Sequence, residues 1–395
     1  MKAEMIWISL AGLRIPLLLR SPVAAEYFRD YLLDIRKTKC PGESRSISVE
    51  TRPAFLSDER LAEAISLTGS RAAYAEYAFI IEDVERCIAP VGRSFFHGAA
   101  VLYKGGVYLL AGRSGIGKST QYRNLSELYG DEVDILNGDK PVLEFANDGR
   151  IIVHSSPWMG KERWGSAGLA VPLRCIVCLE QSDQNQIERI STVEALPTVY
   201  RQFIFKQDTS EMVNRICDYT ERILSEVPVY RMSNRGDPES SKMLFEQVIG
   251  PISNSFVTGI DIQNFNSRPS PLEYSDQEKQ SGVKVVEQGE GIDSDAVRLR
   301  SDILLRTVAG VPLLIAVGDA ATECAAMQGL NTSAAVLVER IVRSCTEEQL
   351  VEYAAGVFET EPEQLKKDIH GFLEELREGN YLIEKKTAKS GQEVL

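Results

Sequence analysis

Basic residues are in short supply: the chain sets 44 Lys and Arg against 57 Asp and Glu, a formal net charge of −13 over 395 residues. A surface of that balance repels polyanions, which argues against a general nucleic-acid binder or an anionic-membrane binder. Any phosphate chemistry must therefore be local. Histidine is scarcer still, with only His97, His154 and His370. No apolar run is long: "MIWISLAGLRIPLLL" is broken by Arg14 and Pro16, falls short of a bilayer, and follows no basic segment of the secretory type. A cytoplasmic protein without a membrane partner is expected. The seven cysteines are odd in number and scattered, as buried thiols are and disulfide frameworks are not. The one C-x-x-C pair, Cys175 and Cys178 in "LRCIVCLE", lies in a strand-like segment. Positions three apart on a strand face opposite sides roughly 10 Å apart, beyond disulfide reach, so both read as strand core.

What is present is an ordinary globular composition, 44% hydrophobic and 26% charged, in a chain long enough for two or three domains. Four parts are expected. Residues 1–90 form a small α/β segment, with strand in "MIWISLAGLRIPLLL" and "YAEYAFIIED" and helix in "AAEYFRDYLLDIRK". Residues 91–265 alternate strand and helix patterns, as a nucleotide-binding α/β core does. Residues 266–296 are polar and rich in Ser, Gly, Gln and Glu, a linker composition. Residues 297–386 are ordered again.

The chemistry concentrates in "VYLLAGRSGIGKSTQYRNL", residues 107–125. Val107 to Ala111 reads as a buried strand and Gln121 to Tyr129 as helix, with a G-x-x-x-x-G-K-[ST] loop between them. In Gly112, Arg113, Ser114, Gly115, Ile116, Gly117, Lys118, Ser119 and Thr120 the glycines let backbone amides converge on an anion, and the helix dipole adds to the pull. Lys118 is placed to reach the outer phosphates of ATP, and Ser119 offers a hydroxyl to Mg2+. An acidic partner follows in "DEVDILNGDKPVLEF", where Asp139 ends a strand 21 residues after Lys118. On a parallel neighbour of the first strand it would stand beside the loop and hold Mg2+ or its water shell; otherwise it is a turn aspartate after Asn-Gly. His97 precedes a hairpin pattern, "AAVLYKGGVYLLA", that puts its strand next to the loop strand.

The order "FFHGAAVLYKGGVYLLAGRSGIGKST" resembles the HPr kinase/phosphorylase family, whose catalytic domain has the phosphoenolpyruvate carboxykinase type of phosphate-loop fold. Further on, "VHSSPWMGKERWG" and "VPLRCIVCLEQSDQNQIERIS" resemble members that tailor ribosomally made peptides, in which a Pro-Trp-x-Gly-Lys element is typical. The likeness runs over roughly residues 1–250. It implies an ATP- and Mg2+-dependent kinase; the family's oligomers are a precedent for a homo-oligomer that the sequence itself does not carry. The family pattern has two adjacent aspartates, a general base and a metal holder, where this chain has Gly138 and Asp139. Either Asp139 is the base, with Ser119 and the phosphates holding most of the metal, or His97 is. Lys161 and Arg163 are candidates to neutralise transition-state charge, or else an exposed basic loop.

In the last part, "DILLRTVAGVPLLIAV" has a hairpin pattern around Ala309-Gly310. Ala334, Leu337, Val338, Ile341 and Val342 share a helical face. Thr346 with Gln349, and Thr360 with Glu363, read as capping boxes. Leu365, Ile369, Phe372, Leu373 and Leu376 form a third stripe, closed by Gly379 as C-cap. "ILLRTVAGVPLLIAV", "LNTSAAVLVERIV" and "DIHGFLEELREGNYLI" are similar to the PQQ-synthesis protein D family, winged-helix modules that recognise leader peptides. The third helix is too acidic to be a major-groove reader.

Together the resemblances imply an α/β protein: an HPr kinase-like phosphate-loop core, a small N-terminal α/β segment, and a C-terminal winged-helix α+β domain. The expected activity is ATP-dependent phosphorylation of a Ser or Thr hydroxyl of a precursor peptide held through its leader. Two alternatives stand beside it: a kinase acting on a folded carrier protein, and a non-catalytic switch that binds ATP and a peptide.

Overall fold

The computed structural model describes residues 4–33, 53–68, 71–255 and 296–383. The chain divides into two compact units, one of Met1–Lys206 with Arg215–Ser275, the other of Gln207–Asn214 with Asp276–Leu395. The linker expected over 266–296 falls, up to residue 295, outside the described residues.

The first unit opens with an antiparallel hairpin, β1 (Glu4–Leu10) and β2 (Leu13–Leu19), in which Glu4 pairs with Leu19 and Leu10 with Leu13. A 3-10 helix follows over Pro22–Tyr31, in place of the α-helix its apolar spacing suggests. Then come α1 (Asp58–Thr68), α2 (Ala72–Phe79) and α3 (Ile81–Ile88). The segment "YAEYAFIIED" is thus helical and not the expected strand. Its aromatic and β-branched residues favour strand locally, but Ile80, Val84 and Ile88 recur every fourth residue and are all fully buried, which is a helix face. Glu76, also buried, accepts hydrogen bonds from the backbone N–H of Arg20 (2.8 Å) and Ser21 (3.0 Å), tying α2 to the end of β2.

Nine strands make the main sheet among the described residues: β3 (Arg93–Phe95), β4 (Gly98–Tyr103), β5 (Gly106–Ala111), β6 (Val133–Asn137), β7 (Val142–Phe145), β8 (Ile151–His154), β9 (Ala170–Gln181), β10 (Gln186–Arg189) and β11 (Val229–Asn234). Between them lie α4 (Lys118–Tyr129), α5 (Thr192–Gln202) and α6 (Ser210–Glu226), and α7 (Pro238–Leu244), a π-helical turn over Phe245–Ile249 and α8 (Gly250–Ser255) close the region. The order is β3-β7-β8-β9-β5-β4-β6, with β11 also paired to β9 and β10 to β11. β5, β9 and β11 run parallel; β4 is antiparallel to both β5 and β6. The carboxyl ends of β6, β5, β9 and β11 and the start of β4 therefore share one edge of the sheet. Cys175 and Cys178 both lie in β9, and burial lifts their thiols, that of Cys178 to about 12. They are strand core.

One cluster of buried residues joins the N-terminal elements to the sheet, including Ile15, Phe28, Ile80, Val84, Phe95 and Trp158. A second, with Leu110, Ile116, Leu125, Val177, Met232 and Leu244, packs α4 and α7 on the other strands. His154 donates its ring to this architecture: with Arg93 at 2.8 Å and His154 at 2.7 Å, the buried Glu144 carboxylate bridges β3, β7 and β8.

The second unit has a three-stranded antiparallel sheet, β12 (Ile303–Val308), β13 (Val311–Ala316) and β14 (Met327–Gly329), in that order. The β12–β13 turn uses Ala309 and Gly310 at φ 50° and 80°, the left-handed pair a tight hairpin needs. After the short α9 (Ala320–Glu323) come α10 (Thr332–Ile341), α11 (Glu347–Phe358) and α12 (Pro362–Glu378). Thr346 and Gln349 form a complete capping box. Thr360 and Glu363 do not: Glu361 is the N-cap, without a side-chain bond, and the Thr360 hydroxyl donates instead to the Phe358 carbonyl. Gly379 is right-handed, with φ −74°. Its glycine is required because a Cβ would meet the Tyr381 ring at 2.6 Å, and Asn380 takes the left-handed turn at φ 59°. Among the described residues, no helix is long and apolar enough to cross a membrane.

Candidate functional site

The β4–β5 ladder pairs Gly98 with Ala111. His97, one residue before, is thereby set beside Gly112, one residue after, by the regular opposition of an antiparallel pair. From there Gly112, Gly115 and Gly117 run at φ 140°, 80° and 113°, a conformation costly to any residue with a Cβ. At Gly115 and Gly117 an added Cβ would meet nothing within 4 Å, so backbone conformation alone demands glycine there. Ile116 is buried and pins the loop to the core, while Arg113, Ser114 and Gly115 are exposed. α4 starts at Lys118 with Gly117 as N-cap and no side-chain cap. Its first-turn N–H groups and positive dipole end consequently face the loop mouth. Ser119 and Thr120 are half-buried in that turn.

Lys118 is only 8% exposed. Its Nζ donates to the carbonyls of Gly112 (2.8 Å) and Arg113 (3.2 Å) and lies 3.2 Å from His97 Nε2. Burial lowers the pKa of its ammonium, Asp139 opposing that and Lys140 adding to it.

Asp139 reaches this cluster by a different route from the one its spacing suggests. Its strand, β6, is not the neighbour of β5, since β4 lies between them. The carboxylate arrives through a turn. Asn137, fully buried, accepts from the N–H of Asp139 (3.0 Å) and Lys140 (2.9 Å) through its side-chain oxygen, and its amide donates to Ser156 O at 3.0 Å. This Asx-type turn swings residue 139 back under β4, where its carbonyl accepts the Gly98 N–H at 2.8 Å. Asp139 Oδ1 is then 3.4 Å from His97 Nε2, and Oδ2 is 2.6 Å from Lys140 Nζ. Burial alone would raise its pKa, but the bonds from His97 and Lys140 outweigh that and bring it down to about 2. Asp139 is ionised at neutral pH.

Gly138 explains why one carboxylate stands where the resemblance leads one to look for two. A Cβ there would sit 2.8 Å from the Met159 carbonyl and 3.3 Å from that of Trp164. The segment that closes over it, residues 157–165, is anchored by Trp158. That indole is 1% exposed, donates to the Tyr77 carbonyl at 2.8 Å, and meets Phe28 and Phe95 edge-on. Gly160, at φ 82°, abuts Asp139: its Cβ would come 3.2 Å from that of Asp139. Lys161 and Arg163 follow, both exposed. Lys161 has no hydrogen-bond or ion-pair partner among the described residues. Arg163, with a strained φ of 52°, holds its guanidinium 5.8 Å from the Tyr27 ring centre. The structure thus groups Lys118, His97 and Asp139, and leaves Lys161 and Arg163 on the adjoining rim.

Two contributors carry no motif. Lys140 follows Asp139 directly, so a charged neighbour was legible without its pairing. Gln202, at the end of α5, was not: its carbonyl accepts the His97 N–H at 2.7 Å and its buried side chain accepts the Gly112 N–H at 3.3 Å. It joins the histidine to the loop from 90 residues away in sequence. Among the described residues no group of three or more His, Cys, Asp or Glu side chains could hold a metal ion.

In the second unit, β12 is an end strand of its sheet among the described residues, paired there with β13. Leu305 on β12 and Leu365 and Phe372 on α12 pack partly buried against the cluster formed by Leu314, Val338, Ile369, Leu373 and Leu376. None of the curated proteins compared with the chain matches it. Residues 321–382 match the family model described as Coenzyme PQQ synthesis protein D (PqqD). The chain therefore carries a C-terminal PqqD domain.

Proposed function

We propose that the chain is an ATP-dependent kinase that phosphorylates a Ser or Thr hydroxyl of a ribosomally made precursor peptide, which it holds through the peptide's leader. The observation that carries the reading is the convergence of Lys118, His97 and Asp139 at the mouth of a glycine loop, in a chain that also bears a PqqD domain. The PqqD match supports recognition of a precursor peptide; strand addition at a sheet's end strand, such as β12 among the described residues, is a physical mode for it.

The residues fit a triphosphate. Glycine N–H groups and the α4 terminus would take its oxygens, and Lys118 would exchange a loop carbonyl for a phosphate oxygen. Mg2+, held mainly by Ser119 and the phosphates with Asp139 alongside, would neutralise phosphate charge. Asp139 would orient the acceptor hydroxyl and take its proton as the hydroxyl oxygen bonds to the γ-phosphorus and the bond to the bridging oxygen breaks, leaving ADP. A carboxylate with a pKa of about 2 is a weak base, but phosphoryl transfer through a loose transition state asks mainly for positioning. His97, on the same cluster, is the other candidate base. Lys161 and Arg163 on the rim are the cations available to the transferring group.

The 2.6 Å pairing of Asp139 with Lys140 favours a second reading, a switch that binds ATP and peptide without transfer. Incubation with Mg-ATP and a precursor peptide encoded beside the gene, with fragmentation mass spectrometry, separates the two. A gain of one phosphoryl group on a Ser or Thr supports the kinase; ADP release or nucleotide binding with unmodified peptide supports the switch.

A further inference from the structure

The glycine loop accounts for phosphates and for nothing else of a nucleotide. On one flank of it, across β4, stand His97 and Asp139. On the other flank the sheet continues through β9 to β11, whose carboxyl ends lie at the same edge as that of β5. Beyond those ends is a cleft of about 480 Å3 between the β9–β10 turn and α7, lined by Asp183, Gln184, Asn185, Arg235, Glu239 and Met243 among others. We propose that this cleft is the nucleoside subsite of the nucleotide whose phosphates the glycine loop takes, an inference that rests on the nucleotide-binding part of the function proposed above.

Geometry joins the cleft to the loop. Gln181, at the end of β9 and two residues before Asp183, reaches the Gly115 carbonyl with its amide at 3.5 Å. Neighbouring strands lie about 4.8 Å apart, so a ligand running from the β5 end to the β11 end spans about 10 Å, the reach of an extended nucleotide from terminal phosphate to base. The two walls are also held in register. Gln121, in the first turn of α4 and fully buried, donates to Asn234 Oδ1 (3.0 Å) and Ser240 Oγ (2.8 Å) and accepts from Ser241 Oγ (2.6 Å). Asn234, Ser240 and Ser241 are buried too. This satisfied polar network fixes α7 to the helix that carries Lys118, which is what positioning two ends of one ligand requires.

The chemistry of the cleft suits a nucleoside and disfavours a phosphate. Its carboxylates, Asp183, Glu239 and Glu246, outnumber its one guanidinium, and Arg235 is already paired with Asp237 at 2.7 Å. Carboxylates accept from ribose hydroxyls and repel triphosphate, whereas Lys118, Lys140, Lys161 and Arg163 lie on or beyond the loop's opposite flank. The charge gradient across the sheet edge thus orients the ligand with its reacting end toward Asp139. Half-buried Met243 offers a polarisable face for a base ring. The exposed amides of Gln184 and Gln247 suit the base's polar edge. The π-helical turn over Phe245–Ile249, which presents Glu246 and Gln247 to the cleft, is of a kind that recurs at functional sites.

Calorimetric titration of the full chain with Mg-ATP and, separately, Mg-tripolyphosphate tests the assignment, using wild type, Met243→Ala and Gln184→Ala. Gln184 is an exposed turn residue whose loss leaves the core intact. Wild type is expected to bind ATP at least tenfold more tightly than tripolyphosphate. Met243→Ala should weaken ATP about tenfold and Gln184→Ala severalfold, with tripolyphosphate affinity unchanged within twofold in both. Tripolyphosphate binding as tight as ATP binding, or an ATP preference that survives both substitutions, overturns the nucleoside subsite and leaves the phosphate loop standing. Binding of neither ligand by wild type overturns the subsite together with the nucleotide reading beneath it.

Discussion

Lys118 Nζ and His97 Nε2 lie 3.2 Å apart, and the same imidazole nitrogen is 3.4 Å from Asp139 Oδ1. One nitrogen cannot accept from an ammonium and donate to a carboxylate at the same moment. Nε2 therefore engages one of the two partners at a time, and a Lys118 drawn onto a phosphate would leave it to face Asp139.

Lys118→Ala should cut phosphopeptide formation by at least about a thousandfold, the scale of losing a phosphate-directed cation in a dry site. The fold should survive, because the lysine's partners are two loop carbonyls and the His97 ring, which water can satisfy. Circular dichroism alongside a discontinuous transfer assay checks both. A folded Lys118→Ala protein with wild-type turnover would remove the phosphate-loop role.

Asp139→Asn and His97→Ala separate the two candidate bases. With Asp139 as base, the amide variant should lose transfer by two or more orders of magnitude while Mg-ATP affinity changes little, and His97→Ala should be milder. The reverse ranking moves the base to His97; a loss of Mg-ATP affinity in Asp139→Asn makes its main role metal holding.

Gly138→Asp would place two adjacent aspartates at 138 and 139, and it should harm the protein. The new Cβ would fall 2.8 Å from the Met159 carbonyl, so the 157–165 segment must lift and take Gly160 away from Asp139. A drop in melting temperature with lower transfer is expected. Equal stability with raised Mg2+ affinity would contradict the steric account.

Glu85 gives a pH signature. It is fully buried, accepts from the Ser94 hydroxyl and from the Phe95 N–H at 2.8 Å, and burial pushes its pKa up to about 8 despite those two bonds. Between an unfolded value near 4.5 and the folded value near 8, the native state holds a proton the unfolded chain has lost. Stability is therefore greatest below the lower value and declines as pH rises through that window. Chemical denaturation from pH 5 to 9 should show the decline in wild type, and a shallower one in Glu85→Gln. Identical slopes would mean Glu85 is ionised in the fold.

These features differ in how far the sequence announces them. The glycine loop is local: three glycines, a lysine and their spacing carry it. The β12–β13 turn and the Thr346 box are legible for the same reason. Asp139 is found by residue type, but its approach depends on Asn137 folding back, which no period records. Helix α2–α3 is misread because tyrosines and isoleucines favour strands locally, while the deciding fact is burial of Ile80, Val84 and Ile88 on one face. Gln202 and the obstruction over Gly138 exist only through contacts between segments distant in sequence.

The most direct measurement is phosphoryl transfer by the intact chain from Mg-ATP to the full-length precursor and to the same peptide without its leader, compared as kcat/KM. Phosphorylation of both is expected, with the full-length peptide favoured by at least about tenfold through effective concentration. Added salt should reduce that preference little, because apolar contacts around Leu305, Leu365 and Phe372 would carry leader binding and counterion release would not. Free leader should compete it away. Phosphate on neither peptide would contradict the kinase, and equal rates on both would contradict leader guidance by the C-terminal domain.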